Sequence, residues 1–357
     1  MRSSTQAYRP EKAEHIRESD LCGTCHTLIT TARGPGGKPI GELNEQMPYP
    51  EWLHSDYRNK QSCQNCHMPE IQGPVQIARV LGEEREGARL HSFRGGNFFM
   101  LQLLNRYRDD LGVSALPAEL TGNAEATAKF LATQTATVAI ENVSTASGRL
   151  QGEVVIHNKN GHKLPTAFPS RRAWLHFVVR DRNGHAVFES GALNPDGSIA
   201  GNDNDADPSK YEPHYSEIRS PDQVEIYESI LGDPNGHVTT GLLSAVRYLK
   251  DNRLLPNGFD KHTAGSDIAV VGDALNDPAF TGGGHRVRYS ASLGPATGPF
   301  TIEAELWYQP IGYRWANNLK PYDRAEEPRR FNTYFDSMQS NTAALLARAT
   351  LNTDARP

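Results

Sequence analysis

Two short runs carry the side chains best equipped for chemistry: LCGTCH at 21–26 and SCQNCH at 62–67. In each, two cysteines stand three apart and a histidine follows the second, giving Cys22, Cys25 and His26, then Cys63, Cys66 and His67. The chain has only four cysteines, so the two runs use all of them. A disulfide framework would suit a short, cysteine-dense secreted domain and leaves the histidines unexplained. A four-thiolate zinc site would normally separate its two pairs by roughly 15–20 residues, and here too the histidines would be coincidental. With 13 histidines in 357 residues, two chance placements after the second cysteine come at roughly one in 750, which favours the Cys-x-x-Cys-His reading. That reading is covalent attachment of two haems c. Cysteines at i and i+3 lie on one side of a helical turn, so both thiols reach one porphyrin, and His26 or His67 then serves as the proximal iron ligand. A thioredoxin-like redox pair would need flanking βαβ segments, which the sequence lacks.

An electron-transferring haem has both axial positions filled, so each iron asks for a second ligand. His15 lies seven residues before Cys22, His54 follows Trp52, His91 opens HSFRGGN, and His162 sits in NGHKLPT. The last two are in loops beside Gly and Pro, free of strand constraints. His157 and His176 fall in strand-like runs and read as ordinary sheet residues. Met68 and Met100 are chemically able to ligate iron, but Met68 adjoins His67 and is sterically unsuited to the same iron. A separate acidic loop, GNDNDADPSKYE at 201–212, spaces Asp203, Asp205 and Asp207 alternately beside Asn202 and Asn204, a partial match to a Ca²⁺ loop without its Gly and late Glu. The Gly-rich TGGGH at 281–285 lacks the strand–helix setting of a phosphate loop.

These residues need elements to hold them. Residues 1–118 read as short helical pieces joined by Gly/Pro loops such as ARGPGGKPIG. YPEWLHSDYRN at 49–59 reads as a helix leading into the second motif, and NFFMLQLLNRYRDDLG at 97–112 is amphipathic, with Phe98, Leu101, Leu104 and Leu111 on one face. Residues 119–134 form a helical linker. From 135 to 312 the period shortens to two: ATVAIENV, LQGEVVIHN, AWLHFVVRD and HAVFESG alternate as strands, Asn183-Gly184 marks a hairpin, and 222–231, 285–293 and 299–311 continue the pattern. Seven or more such strands predict an antiparallel β-sandwich. The segment 313–357 is expected to be a helical extension, with a closing helix over 329–349. The fold class is therefore α+β multidomain: a small, mainly helical or irregular dihaem cytochrome c domain, then an antiparallel β-sandwich and a C-terminal helix. A net charge of −5 without a basic tract excludes nucleic acid as an expected partner. No run approaches the length of a transmembrane segment. The start, MRSSTQAYRPEKAEH, has no apolar core and is not a signal peptide, although haem c maturation is extracytoplasmic. The chain therefore reads as a mature piece of a longer precursor, periplasmic or extracellular in a bacterium or archaeon.

HIRESDLCGTCHTL, YPEWLHSDY followed by CQNCHMP, and HSFRGGN resemble the corresponding segments of multihaem c-type cytochromes. NKNGHKLPTAFPSRRAWLHFVVRDRNGHAVFESG is similar to the β-sandwich that many of them bear at the C-terminus. The resemblance covers most of the chain, but that family usually carries four or more haems and only two attachment sites are present. It implies electron transfer within a multihaem redox chain. The expected partners are other redox proteins or haem-bearing subunits, in a homo-oligomer or larger cytochrome assembly. Resemblance and loop setting together favour His91 and His162 as distal ligands, then His15 and His54. An oxidoreductase with one open iron, acting on a small nitrogen, sulfur or oxygen compound, is the alternative; a sandwich that binds a polymer or surface is a third reading.

Overall fold

A computed structural model describes residues 13–77, 80 and 82–353. The first motif begins on a short helix, α1 (Ser19–Gly23), and runs on into the turn that follows it, and the second lies on α3 (Cys63–His67). Between them run an antiparallel hairpin, β1 (Leu28–Arg33) and β2 (Pro39–Gln46), and α2 (Pro48–Leu53), which starts on Pro48 as helices favour. The expected helix over 49–59 breaks after Leu53 and resumes as a 3₁₀ turn, Asp56–Asn59, that Ser55 caps. The amphipathic segment forms α4 (Phe98–Arg106), capped by the Asn97 side chain, and buries Phe98, Phe99 and Leu103. The linker helix, α5 (Pro117–Gln134), packs on α4.

Beyond it lie two five-stranded sheets. One joins β3 (Ala136–Ala146), β4 (Arg149–Asn158) and β10 (Gly284–Ser292), with two short strands beside β10, one of which, Glu217–Ile218, runs parallel to it. The other is built around β5 (Arg172–Arg180) and β11 (Thr301–Gln309), with β6 (Ala186–Ser190) and β7 (Ile226–Tyr227) on β5. The β5–β6 connection turns at Asn183-Gly184, where Gly184 takes the left-handed φ of +82° that the turn requires. Leu175, Phe177 and Val179 of one sheet share a core with Leu150, Val154, Val287 and Tyr289 of the other, and Phe177 stacks on Tyr289 at 3.9 Å. The same core takes in Met47, Phe98, Phe99 and Leu103, so the cysteine-bearing half is packed against the sheets.

Two expectations need correction. The stretch 222–231 is two strands, not one: β7 and β8 (Ser229–Gly232) join different sheets, and β8 pairs with β9 (Arg247–Asp251). The helix expected over 329–349 stops as α6 (Glu326–Asp336), and β12 (Ala344–Asn352) then pairs along β11. The Ala- and Leu-rich run ALLARA has helical propensity, but an open sheet edge and the burial of Leu346 outweigh that weak preference. Of the helical extension expected over 313–357, the described residues include β12, which adds to a sheet.

Candidate haem-attachment site

The two motif helices interlock. Ser19, buried in α1, accepts the Cys63 backbone N–H at 3.0 Å, satisfying a donor that the start of α3 would otherwise leave free. Gln64 donates to the carbonyls of Ile16 at 3.1 Å and Glu18 at 2.8 Å. The Cys22 thiol is pushed up by burial and by the hydrogen-bonded Cys63 thiol next to it, and burial likewise raises Cys66. All four cysteines are unpaired, with Cys25 and Cys66 exposed. They do not converge on a common point as a four-thiolate metal site would: among the described residues, the one such group of potential ligands lies elsewhere. Gly23 must be glycine for a packing reason, since a Cβ would stand 2.8 Å from the Tyr49 ring.

His67 is held from three sides. Its Nδ1 bonds the Arg94 carbonyl at 2.6 Å, the Phe130 ring of α5 lies 6.5 Å away, and the His162 ring lies with its centroid 6.3 Å from that of His67 and its plane 18° from parallel. Arg89 closes the C-terminal end of α3, donating to Gln64 O at 3.3 Å and Met68 O at 3.1 Å. HSFRGGN therefore supports His67 through Arg94 and through Ser92, whose hydroxyl donates to the His67 carbonyl.

His162 is presented by the 158–166 loop, which is fastened to both halves. Asn158 donates to His162 O at 2.9 Å and to Leu254 O at 3.0 Å. The Tyr57 hydroxyl donates to Lys159 O at 2.8 Å, and Gly161 lies against Trp52 and Tyr57, where a Cβ would come within 3.1 Å of either ring. Glu51 of α2, wholly buried, accepts from Lys163 N at 3.0 Å and Thr166 Oγ1 at 2.6 Å, both on Oε2. Its Oε1 faces Arg253 at 3.1 Å, an ion pair whose angle falls short of a hydrogen bond. Lys163 Nζ and Arg253 both pair with Asp251, at 2.8 and 2.7 Å, so four buried charges balance beside the loop. His162 Nδ1 bonds the Lys163 carbonyl at 2.9 Å. The residue keeps an intermediate exposure, yet desolvation of the ring pushes it down to about 4, which leaves it neutral with a lone pair to give.

The other candidates fare differently. His54 is occupied: its Nε2 bonds the Asp260 carbonyl at 3.0 Å and its ring packs on Phe259. His91 is exposed and stacks on Phe93, while His15 and His26 are exposed. His176 bridges Glu305 and Glu189 across strands, as a sheet residue would. In the acidic loop, Asp205 holds Arg172 through two bonds of 2.8 and 3.0 Å and accepts Ile199 N, and Asp207 Oδ1 accepts from Ser209. Sequence reasoning missed Glu51, Lys163, Asp251 and Arg253, because their pairing is set by tertiary packing over long separations. It also missed a buried cluster of His214, Glu225, Asp277 and His285.

Among solved structures, a penta-heme cytochrome c552 from Thermochromatium tepidum is similar, with a TM-score of 0.50 and 15% sequence identity over 95% of this chain and 57% of that one. This chain shares its fold. It spans little more than half the length of that cytochrome. No protein-family model and no curated protein matches the sequence. Among the described residues, no helix is long and apolar enough to cross a membrane.

Proposed function

We propose that the protein carries electrons on two haems c, one attached to Cys22 and Cys25 with His26 as proximal ligand, the other to Cys63 and Cys66 with His67. The observation that carries this reading is the near-parallel pair His67 and His162. An imidazole nitrogen lies about 2 Å from a first-row metal ion and the ring centre about 1 Å beyond it, so two imidazoles sharing one ion hold their centroids about 6 Å apart. The pair stands at 6.3 Å, with each Nδ1 tied to a backbone carbonyl. Such a bond fixes the tautomer that leaves Nε2 free to ligate and orients the ring. The apolar surface fits a porphyrin as well: Ile16, Leu21 and Phe93, near the motifs in sequence or through Arg94, are exposed at 55%, 45% and 64%.

A haem so held supplies one-electron chemistry, and its potential follows ligand identity, burial and hydrogen bonding. The chain's own residues set these levers. Arg94 and Lys163 orient the two rings through their carbonyls, Glu51 and Asn158 fix the loop that bears His162, and the adjoining Cys22 and Cys63 make the two attachment points neighbours. Partners are other redox proteins or haem-bearing subunits, met outside the cytoplasm, where haem c is attached. This fits the 57% share of the similar penta-heme chain.

The first iron is different. His26 is exposed, and its distal ligand would be His91, His15 or a histidine from a partner; an open position there would favour the oxidoreductase reading. Expression in a haem-c-maturing host should give a denatured chain carrying two haem masses and a visible spectrum in which the second haem is low-spin. An unmodified polypeptide mass would overturn the proposal, and a high-spin first iron would move it to the enzyme.

A further inference from the structure

The buried cluster between the sheets has a second chemistry to offer. His214 comes from the segment before β7, Asp277 from the turn before β10, and His285 from β10 itself; their side chains are 2%, 6% and 0% exposed. Both Nε2 atoms point at one oxygen, Asp277 Oδ2, at 3.0 Å from His214 and 3.2 Å from His285. The rings lie side by side with centroids 4.6 Å apart. All three donor atoms fall within 4.8 Å of one another. The outer nitrogens are held as well. Glu225, wholly buried, meets His214 Nδ1 at 2.8 Å, Asn252 stands 3.2 Å from the same nitrogen, and the Tyr227 hydroxyl meets His285 Nδ1 at 2.9 Å. Glu225 is itself fixed by Asn252 at 2.9 Å and by the Tyr215 N–H at 2.6 Å.

Carboxylate–histidine–metal arrangements have this form: inner nitrogens converge, and outer ones are oriented by a carboxylate or hydroxyl. We propose that His214, Asp277 and His285 bind a structural divalent transition-metal ion, with Glu225 and Tyr227 as positioning residues. Two imidazoles and one carboxylate suit zinc, whereas Ca²⁺ and Mg²⁺ call for oxygen-rich shells. The ion is enclosed as the chain folds and ties the 207–225 segment to the β10 hairpin. It is independent of the haem sites.

The test uses the haem-loaded full chain, in which thioether bonds have consumed the cysteines. The protein is matured in a host supplied with Zn²⁺, washed with chelator, desalted and analysed for metals, with haem iron counted separately. One zinc per chain is expected for the wild type, a loss of that zinc for Asp277→Asn, and about 10- to 100-fold weaker binding for Glu225→Gln. X-ray absorption at the zinc edge on the wild type, which needs no variant to fold, should show only nitrogen and oxygen neighbours with imidazole scattering. Failure of the wild type to retain zinc, equal retention by Asp277→Asn, or a sulfur shell would each overturn the proposal and leave the cluster as a hydrogen-bonded network alone.

Discussion

Glu51→Gln isolates one charge at the hinge between the α2 helix and the His162 loop. The amide oxygen can take the place of Oε2 and keep both bonds, to Lys163 N and Thr166 Oγ1. The amide NH₂ then replaces Oε1 and turns a donor toward the Arg253 guanidinium, 3.1 Å away. Four buried charges that cancelled, Glu51 and Asp251 against Lys163 and Arg253, become a net positive set. Breaking a buried ion pair by removing one partner destabilises by about 3–5 kcal/mol. At about 2 °C per kcal/mol, the small end of the range as suits a chain of this length, the lower figure gives a fall of about 6 °C in Tm. Calorimetry on the haem-loaded protein measures it. Arg253→Met in the same background leaves Lys163 with Asp251 and restores charge balance, so the double variant should lose at least about 1 kcal/mol less than the sum of the single ones. A single variant melting within a degree of wild type, or strict additivity, would show that the four charges do not balance one another.

Gly23→Ala drives a Cβ into the Tyr49 ring and should lower haem attachment at Cys22 and Cys25 while sparing Cys63 and Cys66, read by mapping haem peptides. Burial alone would raise Asp251, but Arg253 and Lys163 pull it down to about 2, below its unfolded value near 3.9. Its contribution of about 2.6 kcal/mol is therefore complete above about pH 5 and lost as pH falls toward 2, visible in urea unfolding across that window. Leu346→Ala, at a strand position 1% exposed, should cost about 2–5 kcal/mol in the same assay, which an exposed helical leucine would not.

The cysteine runs stand out in the sequence because two thiols and a ring fall within five residues. The strands of 136–190 were legible because alternation and Asn183-Gly184 act over a few residues. His162 was legible as a candidate through its loop setting, though what holds it in place was not. Glu51 reaches Lys163 across 112 positions and Thr166 across 115, and no window of sequence contains both ends of such a bond. ALLARA misled because propensity is decided by the neighbouring strand, and the Asp205–Arg172 pair was hidden because its partners lie 33 positions apart. His214 and His285 gave no signal, being far apart in the chain and in unremarkable contexts.

His67 and His162 are proposed to clasp one iron. Electron paramagnetic resonance on haem-loaded His162→Ala, compared with wild type at equal haem content, tests it most directly. One of the two haems is expected to pass from low to high spin and to return to low spin on added imidazole, while the other haem is unchanged. Two haems with the wild-type signals would contradict it.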